Sequence, residues 1–361
     1  MSTSLVLLAL LASTGPSSTS AAQAPDVDVT VKVDSARREV IISAGPWHLM
    51  NMPPMVDHAM MDMGAAHDTP LMRFAWPVGG WFRGFKLEVR DGDGNILPRR
   101  IMHHIIVVNT DRRQLLYQAA ERLFGAGTET DDASIPATIG VPLSQGMNIG
   151  FYIAWHNDTG VDLDGVRFTM TMQYSPPNLN PRPVDVMPIY MDVNLTVGGT
   201  NTYDVPPGRT QKTYDFQLPL GGRLLAYGGH LHDYGVMARL EDAVTGKELA
   251  RITSTRDAQG KVSKVSRSLP GVRGSGVRMK ANHPYRVVAV YDNPTGDVLK
   301  NGAMASIVGL FAPDDLRQWP TIEIGNPTFQ VDLASLEMMG TGSEDHDHMD
   351  REHGSAPHEH N

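Results

Sequence analysis

Ala226-Tyr227-Gly228-Gly229-His230-Leu231-His232-Asp233-Tyr234-Gly235 is a stretch in which two histidines follow an apolar run. Mainly apolar residues lead into it over 223–227 and follow it over 236–240, a pattern that favours a β-strand. Side chains two positions apart on a strand point to the same face, so we expect His230 and His232 to reach one metal ion together. The alternative is a pair of histidines that only hydrogen-bond in a polar groove.

The composition sets limits on fold and chemistry. The length of 361 residues predicts two domains, and 35 glycines with 25 prolines favour a turn-rich β protein. A net charge of -9 argues against nucleic acid as a partner. The chain has no cysteine, so a metal site must use His, Met, Asp or Glu, and 14 histidines and 20 methionines are available.

The N-terminal segment 1–24 has the pattern of a secretion signal. Its apolar run, 5–12, is too short to span a bilayer, and small and polar residues follow up to Ala24. We therefore predict a cleaved signal peptide and a secreted or periplasmic protein. No later segment predicts a membrane span.

Alternating or continuous apolar runs predict strands along the rest of the chain. These runs cover 26–33, 39–42, 85–90, 105–109, 148–157, 166–174, 189–197, 212–218, 247–253, 276–280, 285–291 and 301–311. One stretch, 111–124, instead has helical spacing and is followed by Gly125-Ala126-Gly127. The proline-rich linker 176–187 separates the two predicted domains, 25–175 and 188–325.

Two segments are rich in methionine or histidine. The insertion 48–72 is interrupted by Pro53-Pro54, which excludes a continuous helix, and the polar tail 338–361 has the composition of a disordered segment. Thioethers suit Cu(I), so the insertion is either a copper-collecting loop or a loop with adaptable apolar filler. The accessory copper ligands that these segments offer are Met50, Met52, Met55, His58, Met60, Met61, Met63, His346 and His348.

Four further candidate ligands lie at the ends of predicted strands: three histidines and Met304, which is near the start of the run 301–311. His103 and His104 precede the apolar run 105–108, and His156 ends the run that begins at 148. Adjacent residues on a regular strand face opposite ways, so His103 and His104 share a metal only where the strand bulges, bends or ends. The alternatives are one core and one surface histidine for that pair, a surface histidine at a turn for His156, and an ordinary core methionine for Met304.

The order of these motifs resembles the copper type II, ascorbate-dependent monooxygenases, a family that includes peptidylglycine α-hydroxylating monooxygenase and dopamine β-monooxygenase. His-His, a strand-end His, a proline-rich linker, His-x-His and a late Met follow one another over about 26–313. The resemblance implies an all-β fold of two tandem jelly-roll-like antiparallel sandwiches with a cleft between them. It also implies two coppers, the first held by His103, His104 and His156 and the second by His230, His232 and Met304.

The resemblance further implies a copper-dependent monooxygenase that hydroxylates a C–H bond with O2 and a reductant such as ascorbate. Gly228 and Val308 stand where the peptide-hydroxylating member has substrate-binding side chains, so the small-molecule substrate is left unidentified. A second hypothesis is a non-catalytic cell-envelope protein for copper storage, delivery or tolerance, which the methionine-rich insertion and the tail favour. A third is a β-sandwich binding module that has kept the site without using it.

Overall fold

The structure, a computed structural model, describes residues 28–52, 67–199 and 201–338. Almost all of its regular structure is β, with two α-helices, α1 (Pro270–Arg273) and α2 (Pro327–Met338), and two single-turn 3-10 helices, Arg99–Ile101 and Leu316–Gln318. The strands are β1 (Val29–Asp34), β2 (Glu39–Leu49), β3 (His67–Asp68), β4 (Met72–Ala75), β5 (Gly80–Arg90), β6 (Met102–Arg113), β7 (Ala120–Gly127), β8 (Ala133–Ser134), β9 (Ile139–Leu143), β10 (Asn148–Trp155), β11 (Leu163–Ser175), β12 (Val184–Asp185), β13 (Met187–Asp192), β14 (Tyr203–Val205), β15 (Gly208–Gln217), β16 (Gly222–Leu231), β17 (Gly235–Asp242), β18 (Glu248–Arg256), β19 (Val262–Val265), β20 (Val277–Met279), β21 (Pro284–Asn293), β22 (Leu299–Ala303) and β23 (Ala305–Pro313).

The first half of the chain is a sandwich of two sheets. One sheet has the order β1-β2-β11-β5-β9-β12, with β8 beside β5, and the other has the order β3-β10-β6-β7, with β4 beside β10. Alternate residues of β11, such as Phe168, Met170 and Met172, are buried against Ile105 and Phe151 of the facing sheet. This alternation is what the sequence pattern of β11 predicts for a strand with one face in the core.

The second half repeats the arrangement with its own core. A sheet of order β13-β23-β16-β20 faces a sheet of order β15-β21-β17-β18-β19, and β14 pairs with β22 in a separate ribbon. Leu224 and Ile307 of the first sheet are buried together with Leu240 and Val287 of the second. The predicted all-β fold of antiparallel sandwiches is therefore confirmed, and the one parallel pair among the described strands joins β12 to β9.

The predicted helix over 111–124 is wrong. Residues up to Arg113 continue β6, and residues from Ala120 belong to β7, which pairs antiparallel with it. The helical spacing of leucines arises because these leucines lie in different cores. Leu115 is buried in the second core and Leu123 in the first.

The C-terminal helix α2 was not predicted, and it packs on the first sandwich. Phe329 and Leu336 are buried with Val108 and Ala120 of the β6–β7 pair. Asp332 accepts a hydrogen bond from the Ala120 backbone N–H at 2.8 Å. Among the described residues, no helix has both the length and the apolar character needed to cross a membrane. The predicted signal peptide and most of the insertion and the tail lie outside the described residues.

Candidate metal site

A β-bulge brings His103 and His104 together. In the pairing of β6 with β10, His104 lies opposite Ala154 and Met102 lies opposite Trp155, so His103 is the extra residue. The Nδ1 atoms of the two rings are 3.0 Å apart, a contact that a regular strand would not allow. The sequence required a bulge, a bend or a strand end here, and the structure has a bulge.

His156 lies next to this pair because its strand ends there. It directly follows β10, and its backbone N–H donates to the carbonyl of Ile101 at 2.9 Å, one residue before β6 begins. The residue is only 8% exposed, and neither ring nitrogen has a hydrogen-bond partner among the described residues. Leaving a buried polar group unpaired costs about 1–3 kcal/mol, so an imidazole in this position is a candidate ligand.

His230 and His232 occupy the end of β16 in the second sandwich. His230 pairs with Ser306 of β23, and His232 lies just beyond the last residue of the strand. Their ring centroids are 5.0 Å apart and the rings are perpendicular. The Nδ1 atom of His232 is buried and has no partner among the described residues. The two rings thus lie side by side, as the alternation of a strand predicts.

Met304 is held beside His232 through the backbone. It interrupts the predicted strand 301–311, which is divided into β22 and β23 on either side of it. Its carbonyl accepts the backbone N–H of His232 at 3.2 Å and the hydroxyl of Tyr291 at 2.6 Å. The break in the sheet therefore places residue 304 next to the His-x-His pair.

The imidazoles of the two sandwiches are close enough to influence one another electrostatically. Burial, with smaller effects from neighbouring histidines, lowers the pKa of His104 and that of His232 to about 3 each. Burial also lowers the pKa of His103, and the charge of His230 lowers it further. Buried rings that stay neutral keep a nitrogen lone pair, which is what a metal ion requires.

Glu129 is a part of this cluster that sequence reasoning missed. Its carboxylate Oε1 is 2.8 Å from Nδ1 of His230, although the two residues are 101 positions apart. Burial lowers the pKa of His230, but the nearby carboxylate outweighs this effect and raises it. No local sequence pattern marks Glu129, because the contact exists only once the two sandwiches are assembled.

The remaining candidate ligands are scattered or lie outside the described residues. Met50 is 56% exposed, and the backbone N–H of Met52 donates to the carbonyl of Asn157 at 2.7 Å, next to His156. The other accessory candidates, Met55, His58, Met60, Met61, Met63, His346 and His348, lie outside the described residues. Within the described ranges, no three His, Cys, Asp or Glu side chains are grouped closely enough to hold a metal as they stand.

Comparisons with known proteins give no family. No family model and no curated protein matches this chain. Among solved structures, the major capsid protein P2 of bacteriophage PM2 matches with 12% identity and a TM-score of 0.34, covering 77% of this chain and 98% of that one. PBCV-1 VP54, fitted into a reconstruction of the virophage Sputnik, matches with 8% identity and a TM-score of 0.29, covering 68% and 92%. The mavirus major capsid protein matches with 10% identity and a TM-score of 0.20, covering 87% and 93%.

These findings correct the functional predictions. The predicted membership in the copper type II monooxygenases is corrected: no family model and no curated protein of that family matches the chain, and the solved structures named above are viral proteins, two of them described as major capsid proteins. The predicted hydroxylating enzyme falls with it, because that activity was only what the family resemblance implied. The copper storage, delivery or tolerance hypothesis is withdrawn as well. At these TM-scores the likeness concerns the layered β architecture and carries no functional argument.

Proposed function

We propose that this protein binds transition-metal ions at two sites where its sandwiches face each other, and that the ions serve a structural role. The first site consists of His103, His104 and His156. The second consists of His230, His232 and Met304. No catalytic step is proposed for either site.

The observation that carries this proposal is the set of buried imidazole nitrogens without partners. His156 has two such atoms and His232 has one. A neutral imidazole has one N–H donor and one acceptor nitrogen, and a buried acceptor that meets no donor is stabilised by a metal ion instead. Because the described side chains do not form a three-ligand group as they stand, binding requires rotation of the rings about their χ angles.

The chemistry of the donors favours copper among the common ions. Imidazole suits copper, zinc and nickel, whereas a thioether such as that of Met304 favours Cu(I). The first site, with three imidazoles, accepts a wider range of ions than the second. With no cysteine in the chain, no thiolate competes for the metal.

The proposal is tested by unfolding the full chain in urea with and without copper(II) or zinc(II). A ligand that binds only the folded state at 100 times its Kd raises the free energy of unfolding by about 2.7 kcal/mol. Metal that binds the folded and the unfolded chain with equal affinity does not change the free energy of unfolding.

We expect the gain to shrink in His104→Ala and in His230→Ala. It should persist in the control His283→Ala, whose ring bonds Asp242 at 2.8 Å and is not a ligand in either proposed site. A metal effect that is absent from the wild-type protein, or equal in all four proteins, would refute the proposal.

A further inference from the structure

A short segment of the first sandwich reaches across to the second. Residues 128–132, called the strap below, follow the end of β7. The guanidinium of Arg267 donates to the carbonyls of Asp131 and Asp132 at 2.7 and 3.2 Å, and Lys264 forms an ion pair with Asp131 at 2.8 Å. Both basic residues belong to the second sandwich, so the strap is fastened to it at several points.

The strap delivers a buried carboxylate to the proposed second metal site. The side chain of Glu129 is only 10% exposed, and its Oε1 lies 2.8 Å from Nδ1 of His230. The hydroxyl of Thr130 also donates to Oε1, at 3.3 Å.

The direction of this hydrogen bond decides which nitrogen of His230 is free. An ionised carboxylate only accepts hydrogen bonds, so Nδ1 must carry the hydrogen. In the neutral ring the lone pair is then on Nε2. Histidines that bind metals commonly donate their other N–H to a carboxylate, which fixes the tautomer and the orientation of the ring.

We infer that Glu129 is a positioning residue that holds His230 with Nε2 directed to the second metal ion. This inference rests on the proposed function, and it adds a link between the two halves of the protein. Because the carboxylate comes from the first sandwich and its histidine from the second, docking of the strap and metal binding favour each other. By thermodynamic linkage the coupling acts equally in both directions.

Gly127 provides an independent way to displace the carboxylate. A Cβ atom at residue 127 would lie 2.3 Å from Oε2 of Glu129 and 3.0 Å from its Cδ. The obstruction is the end of a flexible side chain, so Gly127→Ala should move the carboxylate at little cost to folding. If the strap only joined the two sandwiches, Gly127→Ala would not weaken metal binding.

The experiment measures copper(I) affinity of full-length His104→Ala protein, in which the first site is disabled, by anaerobic competition with a chromophoric chelator. Adding Glu129→Gln should weaken binding by about 10–100-fold, the usual effect of losing a carboxylate behind a ligating histidine. Adding Gly127→Ala should weaken it in the same direction. Asp131→Asn is the matched control: it removes only an exposed ion pair between the strap and Lys264 and leaves Glu129 in place, so it should lower the affinity by less than about fivefold.

The possible results distinguish a failure of the second metal site from a failure of the role assigned to Glu129. If the His104→Ala parent binds no copper(I), the second site and the role of Glu129 both fail. If the parent binds copper(I) and Glu129→Gln binds it equally well, the proposed site stands and the inference is overturned. An equal loss in Asp131→Asn also overturns it, since strap docking and not the carboxylate would then be responsible. Urea midpoints of all variants confirm that each is folded.

Discussion

Replacing Gly229 by alanine tests how closely the His-x-His strand packs in the second sandwich. A Cβ atom at this position would lie 2.2 Å from the backbone carbonyl oxygen of Ser306 and 2.3 Å from Cδ1 of Ile252. Ser306 belongs to the paired strand β23, and Ile252 is completely buried. The Ser306 oxygen is backbone, so it cannot yield without a shift of β23 or of β16, the strand that carries His230.

The expected cost follows from overpacking. Extra volume forced into a close-packed core typically costs about 1–3 kcal/mol, and a clash with a backbone oxygen belongs in the upper part of that range. The adjacent residue is a matched control. A Cβ atom at Gly228 would meet nothing closer than the Cγ of Arg267 at 3.3 Å, a side chain that can move. We expect Gly228→Ala to change stability by about 0.5 kcal/mol or less.

The assay is urea unfolding of the full chain, followed by circular dichroism. Gly229→Ala should lower the midpoint with an unchanged slope, which is the signature of a change in stability rather than in compactness. It should also weaken metal binding at the second site, because His230 is the next residue. Equal midpoints for Gly229→Ala and Gly228→Ala would refute the packing that we describe around β16.

Two further predictions concern charged groups outside the metal site. The side chain of Asp332 is 3% exposed and forms an ion pair with Arg122 at 2.7 Å. Breaking this buried pair in Asp332→Asn should lower the free energy of unfolding by about 3–5 kcal/mol, measured by urea titration. Asp315→Asn, which removes the more exposed ion pair with Arg317, should lower it by less than about 1 kcal/mol. Hydrogen bonds from Thr245 and other neighbours outweigh burial and lower the pKa of Asp242 from its ordinary 3.8 to about 2, so its contribution to stability is present above pH 4 and is lost as the pH falls towards 2. The difference in urea midpoint between wild type and Asp242→Asn should therefore shrink over that interval, and a difference that is constant from pH 7 to pH 2 would contradict the assignment.

The β architecture could be predicted from the sequence because the alternation of apolar and polar residues along a strand follows the burial of its two faces. Alternation in 166–174 becomes β11 with every second side chain in the core, and the tension between His103 and His104 is resolved by a bulge. The helix over 111–124 was misread because its leucines are divided between two cores, and a spacing of three or four then arises without a helix. Periodicity alone does not reveal which core a residue will join.

The site was only partly readable for a different reason. The histidines lie near one another because the pairing of β6 with β10 and of β16 with β23 brings them there, and strand-end positions gave a usable signal. Glu129 carries no such signal, since it meets His230 through the docking of the strap on the other sandwich. The order of motifs suggested a family that the comparisons did not support, because similar ligand spacing is compatible with different functions.

Copper content is the most direct test of the central claim. Full-length wild-type protein, His104→Ala and His230→Ala would be loaded with copper(I), dialysed against a weak chelator and analysed for metal per chain, with His283→Ala as the control. We expect His104→Ala and His230→Ala each to bind about one copper ion fewer than the wild type, because each substitution removes a ligand from one of the two sites. Unchanged copper content in both His104→Ala and His230→Ala would contradict the proposed metal sites, because these histidines would then not bind the metal.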